Sequence, residues 1–488
     1  MGSGLRASGF GPIGIAIAIA MTAHAETRPK YAGTVEATLL GAPVLDPVLA
    51  RTHADITAVG LVFDTLYRIG PDGIAQPHLA AAAPVLDEKA TTVRIAIRKG
   101  VRFHDGSALE PRDVAASLDR ARAKDKWLLA AVSNVRVDGD AVELTLRAPV
   151  AELTSLLALP QTAVTKGGKA PGAHPIGTGP YAVDAYDATL HKLQLRAFDD
   201  HFAGRPYVDL MLRWYDTPDG EVRKFETGAA QISARGVTAF AGAEPTFRAD
   251  RLHVPPWVLD YVGFGQVHAA ITGNRAFRRA LDLAIARGGL ATITSGEDVV
   301  PVKLPVPGAP ALPAAALAGE LDAARTELAK VPALAGRPGA VKLEILVEDT
   351  RPDDRELAER VARALDQLGV ATTIAAVPAV DFRDRVGKGR ADLYIGQLAE
   401  PFGMIDAWWG AAFAAGGDDW PVAQLATGAL DPAAAATEFG DREPIVPLMF
   451  RGLELWYRSD VRGLSYDGFG RPCYADMFYF GPPVRTKP

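Results

Sequence analysis

The chain has 488 residues, of which 48% are hydrophobic and 23% charged, an ordinary balance that leaves room for two or three domains and a sizeable core. A formal net charge of −6 is mild and argues against a nucleic-acid partner. The single cysteine, Cys473, excludes an internal disulfide framework.

Residues 1–25 read as a signal peptide. Arg6 is the only charged side chain before Glu26, Ile13 to Met21 is a short apolar run, and Ala23-His24-Ala25 has the small-x-small form of a cleavage site. The run is too short for a membrane span. No cysteine stands at the cleavage site to carry a lipid. The expectation is an exported, freely diffusing monomer with no stable membrane insertion.

Thr91 to Ile97 then alternates β-branched and polar residues, the pattern of a half-buried strand. His104-Asp105-Gly106-Ser107 is turn chemistry, and Pro111 opens a helix with Val114, Leu118 and Ala121 at helical spacing. Val135 to Asp140 and Val142 to Leu146 read as a hairpin. Tyr261 to Gly265 is a strand whose two glycines permit close approach or bending. The proline-rich stretch Pro301 to Pro313 is extended, and Ala314 to Ala318 is a short helix. Further on, Val341 to Val347 is a strand, and Asp353 to Leu368 is an amphipathic helix that Gly369 ends. Thr372 to Val377 and Ala391 to Gly396 are the next strands, so this part is α/β with a βαβ sheet.

Catalytic and metal chemistry find little support. The nine histidines are scattered with no helical H-x-x-x-H pair, so no metal or cofactor is expected. Gly177-Thr178-Gly179 lacks the lysine and spacing of a phosphate loop and reads as a tight turn. There is no G-x-S-x-G nucleophile elbow.

One block carries more. Arg98-Lys99-Gly100-Val101-Arg102-Phe103-His104-Asp105-Gly106, then Asp113-Val114 with Ser117 and Arg120, resembles "R-K-G-V-x-F-H-D-G" followed by "D-V-x-x-S-x-x-R". This order is similar to that of the solute-binding proteins serving peptide, opine and nickel ABC importers. Leu45-Asp46-Pro47, Phe63-Asp64-Thr65-Leu66, Pro77-His78-Leu79-Ala80 and Pro175 to Tyr181 extend the resemblance. So do Arg278 to Arg287, Leu365 to Val370 and Pro444 to Leu448.

The resemblance implies an α/β, two-lobed periplasmic-binding-protein fold (type II-like) with an extra β-rich subdomain. Residues 26–262 form the first lobe, with the subdomain at about 65–175; 263–443 form the second, and 444–488 return to the first. It further implies a non-enzymatic periplasmic protein that closes over a small ligand, foremost a peptide, and presents it to an ABC permease. Two other readings stay open: a periplasmic sensor or scaffold that keeps the fold without transport, and a secreted hydrolase.

The expected ligand contacts follow the strand ending near Gly396, because ligands of open α/β sheets bind beyond the carboxyl ends of strands. In peptide-binding relatives this loop carries an "A-D-x-x-D-P" segment whose aspartate receives the peptide ammonium. Here Glu400-Pro401 falls where Asp-Pro is common, followed by Asp406, Trp408 and Trp409. A carboxylate in a closing cleft suits an ammonium, and indoles suit apolar side chains. By the same resemblance Leu40 and Gly41, within the backbone Leu39 to Ala42, line the opposite wall. The chain departs from the family where Ala286 replaces an aspartate in "A-I-D-R" and Gln231 replaces one in "G-x-x-D", which bears on the ligand more than on the fold.

Overall fold

The period-two and helical patterns fold as they read, and the computed structural model joins them through one long sheet. It describes residues 33–479 apart from 125–126, 151, 216, 236–239, 241–243, 293–298, 337–338, 340, 401–403 and 427. Residues 1–25, expected as a signal peptide, and Pro401 and Phe402 therefore lie outside the described residues.

Eleven of the described strands share a mixed sheet. From one edge the order is Ala371–Val377, Lys342–Glu348, Leu393–Ala399, Ala249–Phe264 and Val446–Arg458. It continues through Ile232–Ser233, Thr34–Thr38, Asp209–Arg213, Lys192–Ala197 and Tyr181–Asp187, and the eleventh strand, Val299–Pro301, pairs with Val446–Arg458 off this path. The two long strands, of 16 and 13 residues, carry the sheet across the molecule. Val258 to Phe264 pair with Leu393–Ala399, whereas Ala249 to Val254 run against Leu453 to Arg458. The register shifts between Val254 and Val258, where Pro255 and Pro256 bring no N–H to the ladder.

On one side of this crossing, parallel strands Lys342–Glu348 and Ala371–Val377 are joined by helix Pro352–Gln367. Leu357, Val361 and Leu365 bury one helix face against the sheet, and Gly369 leaves the helix at φ 77°. These residues belong to a core that runs from Val262 to Met449. On the other side, Val85–Leu86, Thr92–Ala96, Ala141–Leu146 and Val132–Asp138 form a separate antiparallel sheet, with helix Pro111–Lys124 packed on it. Its hairpin turns at Gly139, φ 61°.

The motifs that carry the resemblance meet each other in space. Arg120 forks onto Asp46 at 2.8 and 2.5 Å. Asp64, buried, receives His78 Nε2 at 2.8 Å and the Thr178 hydroxyl at 2.9 Å, with His201 Nε2 at 3.7 Å. The Gly177 N–H donates to His104 Nδ1 at 3.2 Å, so the ring proton sits on Nε2 and is donated to the Gly179 carbonyl at 2.9 Å. Both imidazole nitrogens are thus spent on backbone. Gly177 is required because a Cβ there would stand 1.9 Å from the Val62 carbonyl oxygen.

Two differences from the sequence reading have clear causes. The strand expected to end at Gly396 runs from Leu393 to Ala399, because Gln397, Leu398 and Ala399 find partners in Asp260, Leu259 and Val258. The strand at Tyr261 is the end of a much longer one. Its glycine is filled from the neighbouring strand: a Cβ on Gly263 would meet the Tyr394 ring, and one on Gly396 the Tyr261 ring.

Candidate functional site

The halves of the molecule meet at the turn after strand Thr34–Thr38. Gly41 takes φ 116°, and a Cβ there would lie 2.9 Å from Arg351 Cγ across the gap. The Ala42 N–H donates to Thr350 Oγ1 at 3.2 Å, and the Thr350 hydroxyl donates to Glu348 Oε1 at 2.7 Å. Arg383 Nη2 reaches the Ala42 carbonyl at 3.2 Å and Asp55 Oδ1 at 2.9 Å. Asp55 is fully buried and also accepts the Val44, Arg51 and Thr52 N–H groups, which fixes the turn.

Under this contact lies a network of buried charge. Asp260 and Arg451, on the two crossing strands, pair at 3.1 Å. Gln397 Nε2 donates to Asp260 at 3.0 Å, and Arg451 Nη1 to Asp353 at 2.9 Å. Arg351 stands 2.8 Å from Asp354 Oδ2 and 3.5 Å from Glu348 Oε2. Burial pushes the Asp354 carboxyl up to about 7 against the pull of Arg351, and raises Asp260 despite Arg451. Arg351 Nη1 is buried with no hydrogen-bond partner among the described residues.

The described residues also line a cavity of about 430 Å³. One wall comes from residues 127–156 and the other from helix Ile405–Ala415 with Met404 before it and Leu425 beyond. The lining is mostly apolar. A space of this size suits a small ligand, for which a few hundred Å³ is the usual scale.

The six residues expected at a ligand do not form one cluster. Asp406 lines the cavity and is exposed. Glu400 is 4% exposed and follows directly on strand Leu393–Ala399. Leu40 and Gly41 form the turn against Arg351. Trp408 and Trp409 are buried: Trp408 stands edge-on to Phe450, and Trp409 packs on Phe413 and Phe439. Neither indole lines the cavity. Sequence reasoning passed over Asp260, Arg451, Arg351, Thr350 and Arg383. Two left a signal, for Asp260 and Arg451 each interrupt an apolar strand, where a charge requires a partner. Thr350 and Arg383 left none, because their partners are more than 300 residues away.

Comparison with known proteins gives a consistent picture. The model of the family described as "Bacterial extracellular solute-binding proteins, family 5 Middle" matches residues 75–418. YhjP of Bacillus subtilis, an uncharacterised protein, is 30% identical over 53% of this chain and 42% of its own length, so the chain spans under half of that relative. The glutathione-binding protein GsiB of Pectobacterium atrosepticum is 25% identical over 92% of this chain and 89% of its own length. Among solved structures, the oligopeptide-binding protein AppA of Bacillus subtilis, in complex with a nonapeptide, superposes with a TM-score of 0.76. It covers 93% of this chain and 100% of AppA at 15% identity, a likeness of fold.

Proposed function

The chain belongs to the bacterial extracellular solute-binding proteins of family 5, and from that premise we propose that it binds a peptide or peptide-like solute between its lobes and hands it to an ABC permease. The observation that carries this is the interlobe contact itself. Ala42 is held on both its N–H and its carbonyl by Thr350 and Arg383 of the other half. Hinge closure over a ligand is what such an arrangement does. The long strands Ala249–Phe264 and Val446–Arg458 serve as the hinge, bending at the register shift beside Pro255.

Peptides lead as the ligand class because Glu400 offers a buried carboxylate to an ammonium. GsiB, named for glutathione, and AppA, seen with a nonapeptide, support the same class. Leu40 and Gly41 are proposed for the opposite wall. The lobes divide near 262 and 443 in this reading, and the protein works as a monomer without catalysis. Residues 1–25 direct it to the periplasm and are removed, and no lipid anchors it. Among the described residues no helix is long and apolar enough to cross a membrane.

The test is binding. Calorimetry with di- to pentapeptides should give saturable heats, and Glu400→Gln should weaken ammonium-bearing ligands while leaving the melting curve in place. Unchanged affinity in that variant removes Glu400 from the site.

A further inference from the structure

Another cavity, of about 420 Å³, is built from the first half of the molecule alone. Its lining comes from residues 57–78, 158–180, 201–207 and 471–476, so none of Ala42, Thr350, Arg383 and Glu400 borders it. Helix His53–Val62 supplies one wall, and the returning C-terminal segment packs against that helix with Arg471.

The lining is rich in cations. Arg68, Arg205, Arg471, His78 and His201 border the space, against two carboxylates, Asp64 and Asp476. Asp64 is already spent on His78, Thr178 and His201, and Asp476 is exposed. Asp199, outside the lining, partners Arg205. Two groups are left with unanswered hydrogen-bonding capacity. Arg471 pairs through Nε with Asp467 and stands 5.8 Å over the Phe469 ring, yet neither of its Nη groups meets an acceptor among the described residues. Thr57 is 1% exposed and lines the same cavity, and its hydroxyl has no hydrogen-bond partner among the described residues.

One glycine brings these two groups together. Gly60 follows Thr57 by three residues and so shares its helix face. A Cβ at Gly60 would stand 1.5 Å from Arg471 Nη1. Glycine is unfavourable inside a helix. Here it lets the guanidinium lie directly against the helix beside Thr57.

We propose that this cavity is a second binding site, separate from the interlobe contact, for a small solute carrying a compact oxyanion, phosphate or carboxylate, held between Arg471 and Thr57. A guanidinium fork donates two parallel bonds to such an anion, and a threonine hydroxyl donates a third. A cation would meet three guanidiniums and two imidazoles there. A neutral solute would leave their charge unanswered. Because no residue of the interlobe contact borders the cavity, the assignment holds whatever the lobes close upon.

Isothermal titration of the purified protein with glycerol 3-phosphate and citrate tests this, with glycerol as the neutral control and putrescine as the cationic one. Either anion should bind saturably, the controls should not, and the tighter anion identifies the group. Thr57→Val removes the hydroxyl at nearly constant shape, and loss of an unpaired buried hydroxyl should leave the melting curve in place. It should weaken the anion at least about fivefold. Gly60→Ala should push the guanidinium aside and weaken the anion by a similar factor, which keeps the test if Thr57→Val fails to fold. No saturable heat from either anion, a control that binds as tightly, or an affinity unchanged in both variants overturns the proposal.

Discussion

A buried ionisable side chain must be paired or neutral, and this chain places several where its halves meet. Arg383 is the most exposed bond across that contact: its side chain is 21% accessible, and it joins Asp55 and the Ala42 carbonyl. Arg383→Ala should therefore loosen the closed form without unfolding either half. A charge-assisted pair of this exposure is worth about 1–2 kcal/mol. The variant should release bound ligand several times faster in stopped-flow, with its melting curve little changed; an unaltered off-rate would show that Arg383 does not hold the lobes. Glu400 behaves differently because it is buried. Glu400→Gln should cost an ammonium-bearing ligand about 2 kcal/mol or more by calorimetry.

Asp64 shows how residues far apart in sequence become one structural device. Burial alone would raise its carboxyl, yet His78 and His201 together hold it far below the usual carboxylate range. His201 gives its Nδ1 proton to the Gly204 carbonyl at 3.1 Å and turns Nε2 to Asp64, so it is raised above its ordinary value although burial opposes this. A histidine raised on folding stabilises the protein fully below its unfolded value near 6.5, and that part fades as the pH climbs through the folded value. The melting-temperature difference between wild type and His201→Gln should accordingly be larger at acid-neutral pH than at alkaline pH. A difference independent of pH would mean that His201 is held neutral.

At the scale of elements the closest constraint is the Gly177 turn. A methyl 1.9 Å from the Val62 oxygen forces backbone to move, so Gly177→Ala should cost about 3 kcal/mol and lower the melting temperature by several degrees. If the variant melts with wild type, the turn does not pack as described.

The same scale shows what the sequence could reveal. The hairpin Val132–Asp138 with Ala141–Leu146, the helix Pro352–Gln367 and the parallel strands around it were legible, because each is fixed by local periodicity and a glycine stop. The extension of strand Leu393–Ala399 past Gly396 was not, since its partner at Val258 to Tyr261 is over 130 residues away. For the same reason Trp408 and Trp409 read as ligand walls, while Phe450, Phe439 and Phe413 bury them. Asp406 was legible as a carboxylate beyond a strand end, but Glu152, which shares its cavity, lies in a different part of the chain.

Across the whole molecule, one sheet is continuous through both halves, and the two long strands and the contacts around Ala42 join them. A ligand that binds there stabilises the folded protein by linkage and draws the halves together. The most direct test is a thermal-stability screen of the protein without residues 1–25 against peptides, opines, oligosaccharides and nickel chelates, with small-angle scattering on any hit. The account predicts a saturable rise in melting temperature with amine-bearing apolar peptides, accompanied by a smaller radius of gyration. A flat melting temperature and an unchanged radius across every class would contradict it.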